Sequence, residues 1–165
     1  MKKISGKQGL PLLNCKGFTI VEILVVIAII AILAAIVFVS LNPAKRFQDA
    51  RITQRKANVE SILNAVLQNM VDNKGTFTCA GAGAIPASAT TIKSGEGGYD
   101  LAPCVSDYLA VLPVDPSKTG AQWTSATNYD TGYTIAQNDT TFQVTIAAPE
   151  SANDPAGSTV ISVTR

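Results

Sequence analysis

The hydrophobic residues of this chain are concentrated in one uninterrupted run near the N-terminus. The run extends from Ile23 to Leu41, which is 19 residues without a charge. A helix of that length spans roughly 28 Å, close to the thickness of the hydrocarbon core of a bilayer. Leu and Ala favour the helix, and neither Gly nor Pro interrupts it. The pattern therefore predicts a membrane-spanning helix.

A second helical pattern follows the run. Asn42 and Pro43 predict a break with Asn42 capping a new helix, although one continuous curved helix is the alternative. Between residues 44 and 73, apolar residues recur at helical spacing, and Gly75 ends the pattern as a candidate left-handed cap. This stripe fits packing on a sheet better than a coiled coil, for which it has too few heptads. Its members are Val59, Ile62, Leu63, Val66, Leu67 and Met70.

Strand patterns appear only near the C-terminus. Residues 77–98 have no clear period and are predicted to form a long loop. Strands are predicted at Tyr133–Gln137, Thr141–Ile146 and Val160–Val163, with a turn at Asn138–Asp139. In the second strand, alternation places Phe142, Val144 and Ile146 on one face. We predict an α+β fold, in which a long N-terminal helix (a membrane half and an amphipathic half) packs on a small antiparallel sheet of three or more strands.

The distribution of charge and the lack of histidine exclude several functions. The net charge is +1, yet after Asn73 four basic residues face eight acidic ones, which argues against binding to phosphate backbones. Histidine, the commonest general base and metal ligand, is absent. The sequence also has no Gly-rich phosphate loop, nucleophile elbow or His-based triad. We therefore expect no enzyme activity, no cofactor and no direct nucleic-acid site.

A basic stretch follows the apolar run. It contains Lys45, Arg46, Arg51, Arg55 and Lys56, opposed only by Asp49. We interpret it as a solvated collar close to the membrane. Binding to lipid head groups before assembly, or to DNA, is the alternative.

The residues before the apolar run form a specific motif, Lys16-Gly17-Phe18-Thr19-Ile20-Val21-Glu22. It closely resembles the class III signal of type IV prepilins and type II secretion pseudopilins. That signal combines a basic leader, a Gly, usually a Phe, a Glu five residues after the cut and an apolar stretch. The resemblance covers roughly residues 1–73, and the rest matches only in architecture. A removable signal peptide fits less well, because the run is long and lacks a small-residue cleavage motif.

The resemblance implies processing and assembly roles for three residues. Cleavage is expected between Gly17 and Phe18, with N-methylation of the new Phe18 amine. Glu22 would pair with that amine from a neighbouring subunit in a water-poor filament core, whereas a plain membrane anchor gains nothing from a carboxylate there. The alternative is an interfacial Glu22 that snorkels. The implied layout is a cleaved leader at 1–17, a membrane and filament-core helix at 18–41, a stalk helix at 42–75 and a head at 76–165.

Two cysteines and several aspartates lie in the presumed head. A bridge between Cys79 and Cys104 would close a loop of about 26 residues and stabilise by roughly 3–4 kcal/mol; two free buried thiols are the alternative. Cys15 would leave with the leader. The segment from Leu112 to Tyr133 looks like one found in major pseudopilins and some pilins, in some of which a nearby loop binds calcium. Asp115, Asp130 and Asp139 do not have EF-hand spacing, so we interpret them as turn formers and predict no metal.

The resemblance implies a mechanical function. The chain would be a structural subunit of a type IV pilus-like filament, serving adhesion, motility or DNA uptake. A secretion pseudopilin and a monomeric surface-binding module on a signal anchor are the alternatives. The implied partners are copies of itself, other pilins, a prepilin peptidase, and an assembly platform with its ATPase. The precursor would cross the cytoplasmic membrane once, with its head outside the cytoplasm, before it enters a pilus or pseudopilus.

Overall fold

The computed structural model describes residues 17–153 and 160–165. The predicted leader, including Cys15 and excepting Gly17, lies outside the described residues, as do Pro155 and Gly157. The helices are α1 (Ile20–Leu41), α2 (Pro43–Asp72) and α3 (Ala102–Val105). The strands are β1 (Thr90–Lys93), β2 (Gln122–Ser125), β3 (Asn128–Gln137), β4 (Val144–Ala148) and β5 (Ile161–Thr164). A 3-10 helix spans Pro149–Asn153.

The strands form one antiparallel sheet, which confirms the predicted α+β class. Their order is β1-β3-β4-β5, and β2 also pairs with β3. The register places Ile135 of β3 opposite Ile146 of β4, and Ile146 opposite Val163 of β5. Apolar side chains therefore line up across neighbouring strands and give the sheet a buried face.

The first helix, α1, ends where the sequence predicted an interruption. Asn42 is the C-cap of α1 in the left-handed conformation, with φ of 39°. Asn42 also directly precedes α2, so the prediction that its side chain caps that helix stays a prediction. Asn is one of the few residues other than Gly that tolerates this conformation. Pro43 then starts α2, where the lack of a backbone N–H costs nothing.

The second helix, α2, packs on the sheet through the predicted stripe, so the coiled-coil alternative is not adopted. Its buried apolar residues belong to the same core cluster as residues of β3 and β4. The principal members are Val59, Ile62, Leu63 and Val66 from α2 and Tyr133, Ile135, Val144 and Ile146 from the sheet. The helix ends with Lys74 and Gly75 at positive φ, and the Gly75 N–H donates to the Met70 carbonyl over 2.7 Å.

Strand β4 begins three residues later than predicted, because the preceding turn is longer than the pattern suggested. Asn138 caps this turn, and its side-chain oxygen accepts hydrogen bonds from the N–H groups of Thr140 and Thr141 over 2.8 and 2.9 Å. Phe142 lies in the turn at φ of 58° and is exposed. Val144 and Ile146 are buried as predicted, but Phe142 does not share their face.

Three elements were absent from the prediction. Strand β1 lies in the segment expected to be a loop, where Thr90 and Thr91 pair with Ile135 and Thr134. Helix α3 and strand β2 are each four residues long. Strand β2 pairs with the start of β3, where the Trp123 and Tyr129 rings are 5.2 Å apart between centroids. Such short elements carry too few residues for a periodic signal, and the two strands are determined by pairing with β3.

A disulfide and a buried amide attach the loop before the sheet to α2. Cys79 and Cys104 are bonded, with their Cα atoms 4.9 Å apart. The buried Asn69 side chain donates to the carbonyls of Thr78 and Cys104 over 3.1 and 2.8 Å, and accepts from the Thr78 N–H over 2.9 Å. The Asn69 side chain therefore holds the backbone of Thr78, which precedes Cys79, and the backbone of Cys104.

An ion pair lies in the core between α2 and the loop before β2. Arg55 Nε donates to Asp115 Oδ2 over 2.8 Å and Nη2 donates to Oδ1 over 3.1 Å, with both side chains fully buried. Arg55 also donates to the Ser117 hydroxyl. Arg55 therefore does not belong to a solvated collar, and the sequence interpretation was wrong for this residue. It lies on the core face, one turn before Val59.

Asp115 remains ionised in this setting because it has several donors. Burial raises the pKa of its carboxyl, but hydrogen bonds from Arg55 and from the N–H groups of Ser117 and Lys118 outweigh burial. The net result is a pKa below the ordinary value of 3.8. These hydrogen bonds stabilise the ionised form of the Asp115 carboxylate, so removal of Arg55 would leave a buried negative charge without its cation.

We predict that Arg55→Met destabilises the folded head by about 3–5 kcal/mol, because it leaves the Asp115 carboxylate buried without its cation. Denaturation of the detergent-solubilised full chain, followed by Trp123 fluorescence, measures this change. Lys56→Met, at the exposed neighbouring position of the same helix, is the matched control and should change stability by less than about 0.5 kcal/mol. The double variant Arg55→Met/Asp115→Leu should recover most of the loss. A cost below about 1 kcal/mol for Arg55→Met would contradict the role of the pair.

We predict that replacing both Cys79 and Cys104 by Ser lowers stability by roughly 3–4 kcal/mol, since the bridge restrains the unfolded chain. The same denaturation experiment applies, and Cys15→Ser, in the presumed leader, is the control that should leave stability unchanged. Peptide mass spectrometry without reduction should recover the linked peptides from exported protein. Ready alkylation of both thiols in the folded, unreduced protein would refute the bridge.

Candidate functional site: the processing and assembly segment

The predicted cleavage site lies just outside the first helix. Gly17, Phe18 and Thr19 are not helical, and Thr19 is extended at φ of −83° and ψ of 151°. The Phe18 side chain is 76% exposed. A Cβ atom added to Gly17 would meet no atom within 4 Å. Nothing in the described chain therefore requires glycine at this position, so a need for a small residue would have to come from a molecule that binds the segment.

Thr19 caps the helix and fixes where it starts. Its hydroxyl oxygen accepts a hydrogen bond from the Glu22 N–H over 3.2 Å, and its carbonyl accepts one from the Ile23 N–H over 3.3 Å. The spacing Thr-x-x-Glu is that of a capping box, in which the acidic residue also lies at the positive end of the helix. Sequence reasoning missed Thr19, although the four-residue spacing was visible at positions 19–22.

Glu22 lies in the first turn of α1 and has no basic neighbour in its own helix. The positions one turn away in the sequence are Val25, Val26 and Phe18, Thr19. A carboxylate at the entry to an apolar helix is costly in lipid. The cap explains part of its placement, since a negative charge near a helix N-terminus is favourable.

The rest of α1 is apolar on every side. Among the described residues, Ile20–Ser40 is the one helix long and apolar enough to cross a membrane, judged by length and composition, and none of that span is buried. A helix that is hydrophobic all round needs lipid or other protein around it. The segment thus contains an accessible peptide bond between Gly17 and Phe18, a first helical turn with Glu22 that Thr19 caps, and the exposed apolar surface of α1. Gly17, Phe18 and Glu22 lie together here, whereas Cys79 and Cys104 stabilise the head.

Two of the three aspartates considered for calcium already have partners in the head. Asp115 binds Arg55, and Asp130 accepts from the Lys118 ammonium over 3.3 Å and from the Gly132 N–H over 2.9 Å. Asp139 is exposed in the turn before β4. Across residues 17–153 and 160–165 there is no group of three potential metal ligands. These contacts agree with the interpretation of Asp115 and Asp130 as turn-forming residues.

The buried tyrosines are also used internally. The Tyr99 hydroxyl donates to the Gly83 carbonyl over 2.8 Å, and the Tyr129 hydroxyl donates to Asp100 over 2.7 Å. The Tyr133 hydroxyl accepts from the Asn58 amide over 2.9 Å. Burial raises the pKa of Tyr99 and of Tyr133 to about 12, so both stay protonated at neutral pH. These polar groups hold loops and α2 in place.

Comparison with known proteins places the N-terminal segment in a described family of signals. The model of the prokaryotic N-terminal methylation motif matches residues 12–38. The match contains Gly17, Phe18, Thr19 and Glu22 and extends through most of α1. Its first residues, 12–16, lie in the part of the chain that the structure does not describe.

Two fimbrial proteins of Dichelobacter nodosus are similar over a longer stretch. A fimbrial protein is 33% identical over 106 residues, which cover 64% of this chain and 59% of the relative. The type IV major fimbrial protein FimA is 32% identical over 106 residues, which cover 64% and 58%. The chain thus spans just under three fifths of the length of these relatives. No solved structure gives a significant match. The chain is thus similar to the prokaryotic methylation motif at its N-terminal segment and to these two fimbrial proteins over a longer stretch.

Proposed function

We propose that the chain is a structural subunit of a type IV pilus-like filament, made as a membrane-anchored precursor and polymerised through α1. The observation that carries this proposal is the combination of a matched methylation motif with an apolar helix that nothing covers. The names of the fimbrial relatives favour a pilus over a secretion pseudopilus.

The proposed first step is removal of the leader by a prepilin peptidase. A peptidase cuts backbone that enters its site in an extended form, and the bond between Gly17 and Phe18 precedes a helix that starts only at Ile20. Cleavage would create a charged amine on Phe18, which the same pathway would methylate. An assembly platform and its ATPase would supply the work.

The proposed second step is transfer of α1 from lipid to a bundle of identical helices. Lipid tails and neighbouring helices are both apolar, so little free energy separates the two environments, and close packing and polar pairs decide between them. Glu22 of one subunit would pair with the Phe18 amine of the next in the water-poor filament core. The head would then coat the filament. Adhesion, motility and DNA uptake are the roles open to such a filament.

Two other functions remain as alternatives with distinct outcomes. A pseudopilin would form a short secretion filament, whereas a pilin would be recovered in long extracellular filaments. A monomeric surface module on a signal anchor would keep Met1 as its N-terminus. N-terminal mass spectrometry of the fraction sheared from the cell surface separates the anchor from both filament subunits.

We predict that Gly17→Val leaves a full-length membrane precursor. A side chain at this position would enter the peptidase site, since the chain itself leaves open space around Gly17. Gly17→Ala, a smaller change, should be trimmed more slowly than wild type but faster than Gly17→Val. Immunoblots of membrane fractions over time report the ratio of precursor to mature chain. If Gly17→Val matures at the wild-type rate and at the same bond, the signal assignment is wrong.

We predict that Glu22→Ala reduces filament yield by about tenfold or more while membrane level and leader cleavage stay near wild type, since one charge-assisted pair is lost. Glu22→Gln is the informative control, because it removes the charge and keeps a side chain suited to the capping box. Thr19→Val removes the cap and keeps the charge.

The three variants distinguish pairing from capping. Pairing requires that Glu22→Gln fails like Glu22→Ala and that Thr19→Val still assembles. Normal filament yield from Glu22→Gln would refute the pairing model, and failure of Thr19→Val alone would assign the turn to helix capping.

A further inference from the structure

The first turns of α2 present an aromatic and basic surface that the head does not cover. We define the basal face as Arg46, Phe47 and Arg51. All three are exposed, and the Phe47 ring is 68% exposed. Phe47 and Arg51 are four residues apart and therefore neighbours on the helix surface. The buried stripe of α2 begins only at Arg55.

The basal face is close to the end of the candidate membrane span along the chain. Phe47 is four residues into α2, which is about 6 Å along the helix, and two residues connect Pro43 to Leu41, which adds at most about 7 Å. The polar interface of a bilayer is roughly 5–8 Å thick on each side. With a side-chain reach of several Å, Arg46 and Phe47 can contact that interface wherever α2 points, whereas Arg51, about 12 Å into α2, contacts it when α2 lies along the membrane surface.

The charges near the basal face have one predominant sign. Residues 44–56 carry exposed Lys45, Arg46, Arg51 and Lys56, with Asp49 as the single acid. Asp49 is two residues from both Phe47 and Arg51 and does not share their helix face, whereas it is three residues from Arg46 and is a surface neighbour of that residue. Basic residues with an aromatic ring at the end of an apolar helix are the composition that proteins use at anionic membrane surfaces.

We infer that the basal face binds the phosphate groups of anionic phospholipids in the leaflet where α1 ends, before the subunit enters a filament. Arg46 and Arg51 donate hydrogen bonds to lipid phosphate in the planar, forked geometry of guanidinium, and the Phe47 ring enters the boundary of the acyl chains. This inference rests on the proposed membrane span. It gives the exposed ring an environment that the head does not supply.

Bromolipid quenching of a single tryptophan tests the inference on the full chain. In a Trp123→Phe background, one tryptophan is placed by Phe47→Trp at the basal face. Leu33→Trp, inside α1, reports whether the span is in lipid. Val71→Trp, an exposed position about 36 Å further along α2, is the matched control outside the membrane. Each variant is reconstituted at a low protein-to-lipid ratio in vesicles of phosphatidylcholine with about one fifth phosphatidylglycerol.

Placing bromine on one lipid class at a time measures which lipid lies next to each introduced tryptophan. We expect the Phe47→Trp indole to be quenched by bromine near the head group, the Leu33→Trp indole by bromine deep in the acyl chain and the Val71→Trp indole by neither. We expect brominated phosphatidylglycerol to quench the Phe47→Trp variant more than its share of the bilayer predicts.

Removal of the two arginines should abolish this preference for the anionic lipid. In the Phe47→Trp background, Arg46→Gln/Arg51→Gln should lower the quenching preference for phosphatidylglycerol by about fivefold for each cation removed at low salt. Lys56→Gln in the same background should lower that preference less. High salt should weaken the preference while both arginines are present.

Each other outcome overturns the inference in a recognisable way. Quenching of the Leu33→Trp variant without quenching of the Phe47→Trp variant would leave the membrane span standing and refute the basal face. Absence of quenching in the Leu33→Trp variant would refute the span itself and, with it, the proposed precursor. Equal quenching of the Phe47→Trp variant by both lipid classes would refute head-group recognition. Absence of head-group quenching of the Phe47→Trp variant at low protein-to-lipid ratio, with the indole shielded at every ratio, would assign the face to a second copy of the chain.

Discussion

The uncovered apolar surface of α1 is the constraint on which the rest of the molecule depends. Its backbone hydrogen bonds are satisfied within the helix, so the helix is complete as local structure, yet none of the span is buried. The β-branched residues that weaken a helix in water do no harm where the backbone has no other partner. Lipid, or a bundle of similar apolar helices, would cover this surface and remove it from water. A chain built on such a segment is suited to move between membrane and polymer.

The head must therefore be stable with little help from α1. Its apolar core is modest, and α2 supplies one wall of it through Val59, Ile62, Leu63 and Val66. Two further devices attach loops to that wall: the Arg55–Asp115 pair and the disulfide held by Asn69. A buried ion pair adds little net stability compared with an apolar pair, but its geometry allows few alternatives. In this head the pair joins α2 to the loop before β2.

The sequence predicted those parts of the fold whose signals repeat along the chain. The span from Ile23 to Leu41 and the stripe of α2 repeat over several turns, so their helices were predictable. Strand β1 and helix α3 have four residues each and depend on partners far along the chain. The alternation at Thr141–Ile146 was misleading, because hydrogen bonds from the backbone of Thr140 and Thr141 to the Asn138 side chain extend the turn before β4. An alternating hydrophobic pattern does not reveal such bonds.

The candidate site was predictable to a different degree. Gly17, Phe18 and Glu22 were found because the motif has a fixed register, and their roles in processing and assembly stay predictions. Thr19 was missed because its role as a cap depends on a single hydrogen bond, which a pattern of hydrophobic positions does not reveal. Arg55 was assigned to a charged collar because the number of basic residues in a stretch does not show which way each side chain points from the helix. Its position one turn before Val59 indicated the core face, and an acid 60 residues away stabilises the buried charge.

Thr19 and Glu22 together show how the proposed cleavage would alter the membrane segment without refolding it. Before the cut, the Phe18 nitrogen belongs to an uncharged amide, and the Glu22 carboxylate relies on the helix N-terminus and the cap. After the proposed cut, the same nitrogen would be a charged amine four residues before that carboxylate, and the net charge of residues 18–41 would change from −1 to zero. Four lysines, at positions 2, 3, 7 and 16, leave with the leader. A neutral segment costs less free energy to carry through apolar surroundings than a charged one, and opposite charges attract strongly there. N-methylation preserves the positive charge while it removes one N–H donor. The proposed processing therefore acts as a charge switch on a helix whose start Thr19 has already fixed, and the switch prepares α1 to leave lipid for copies of itself.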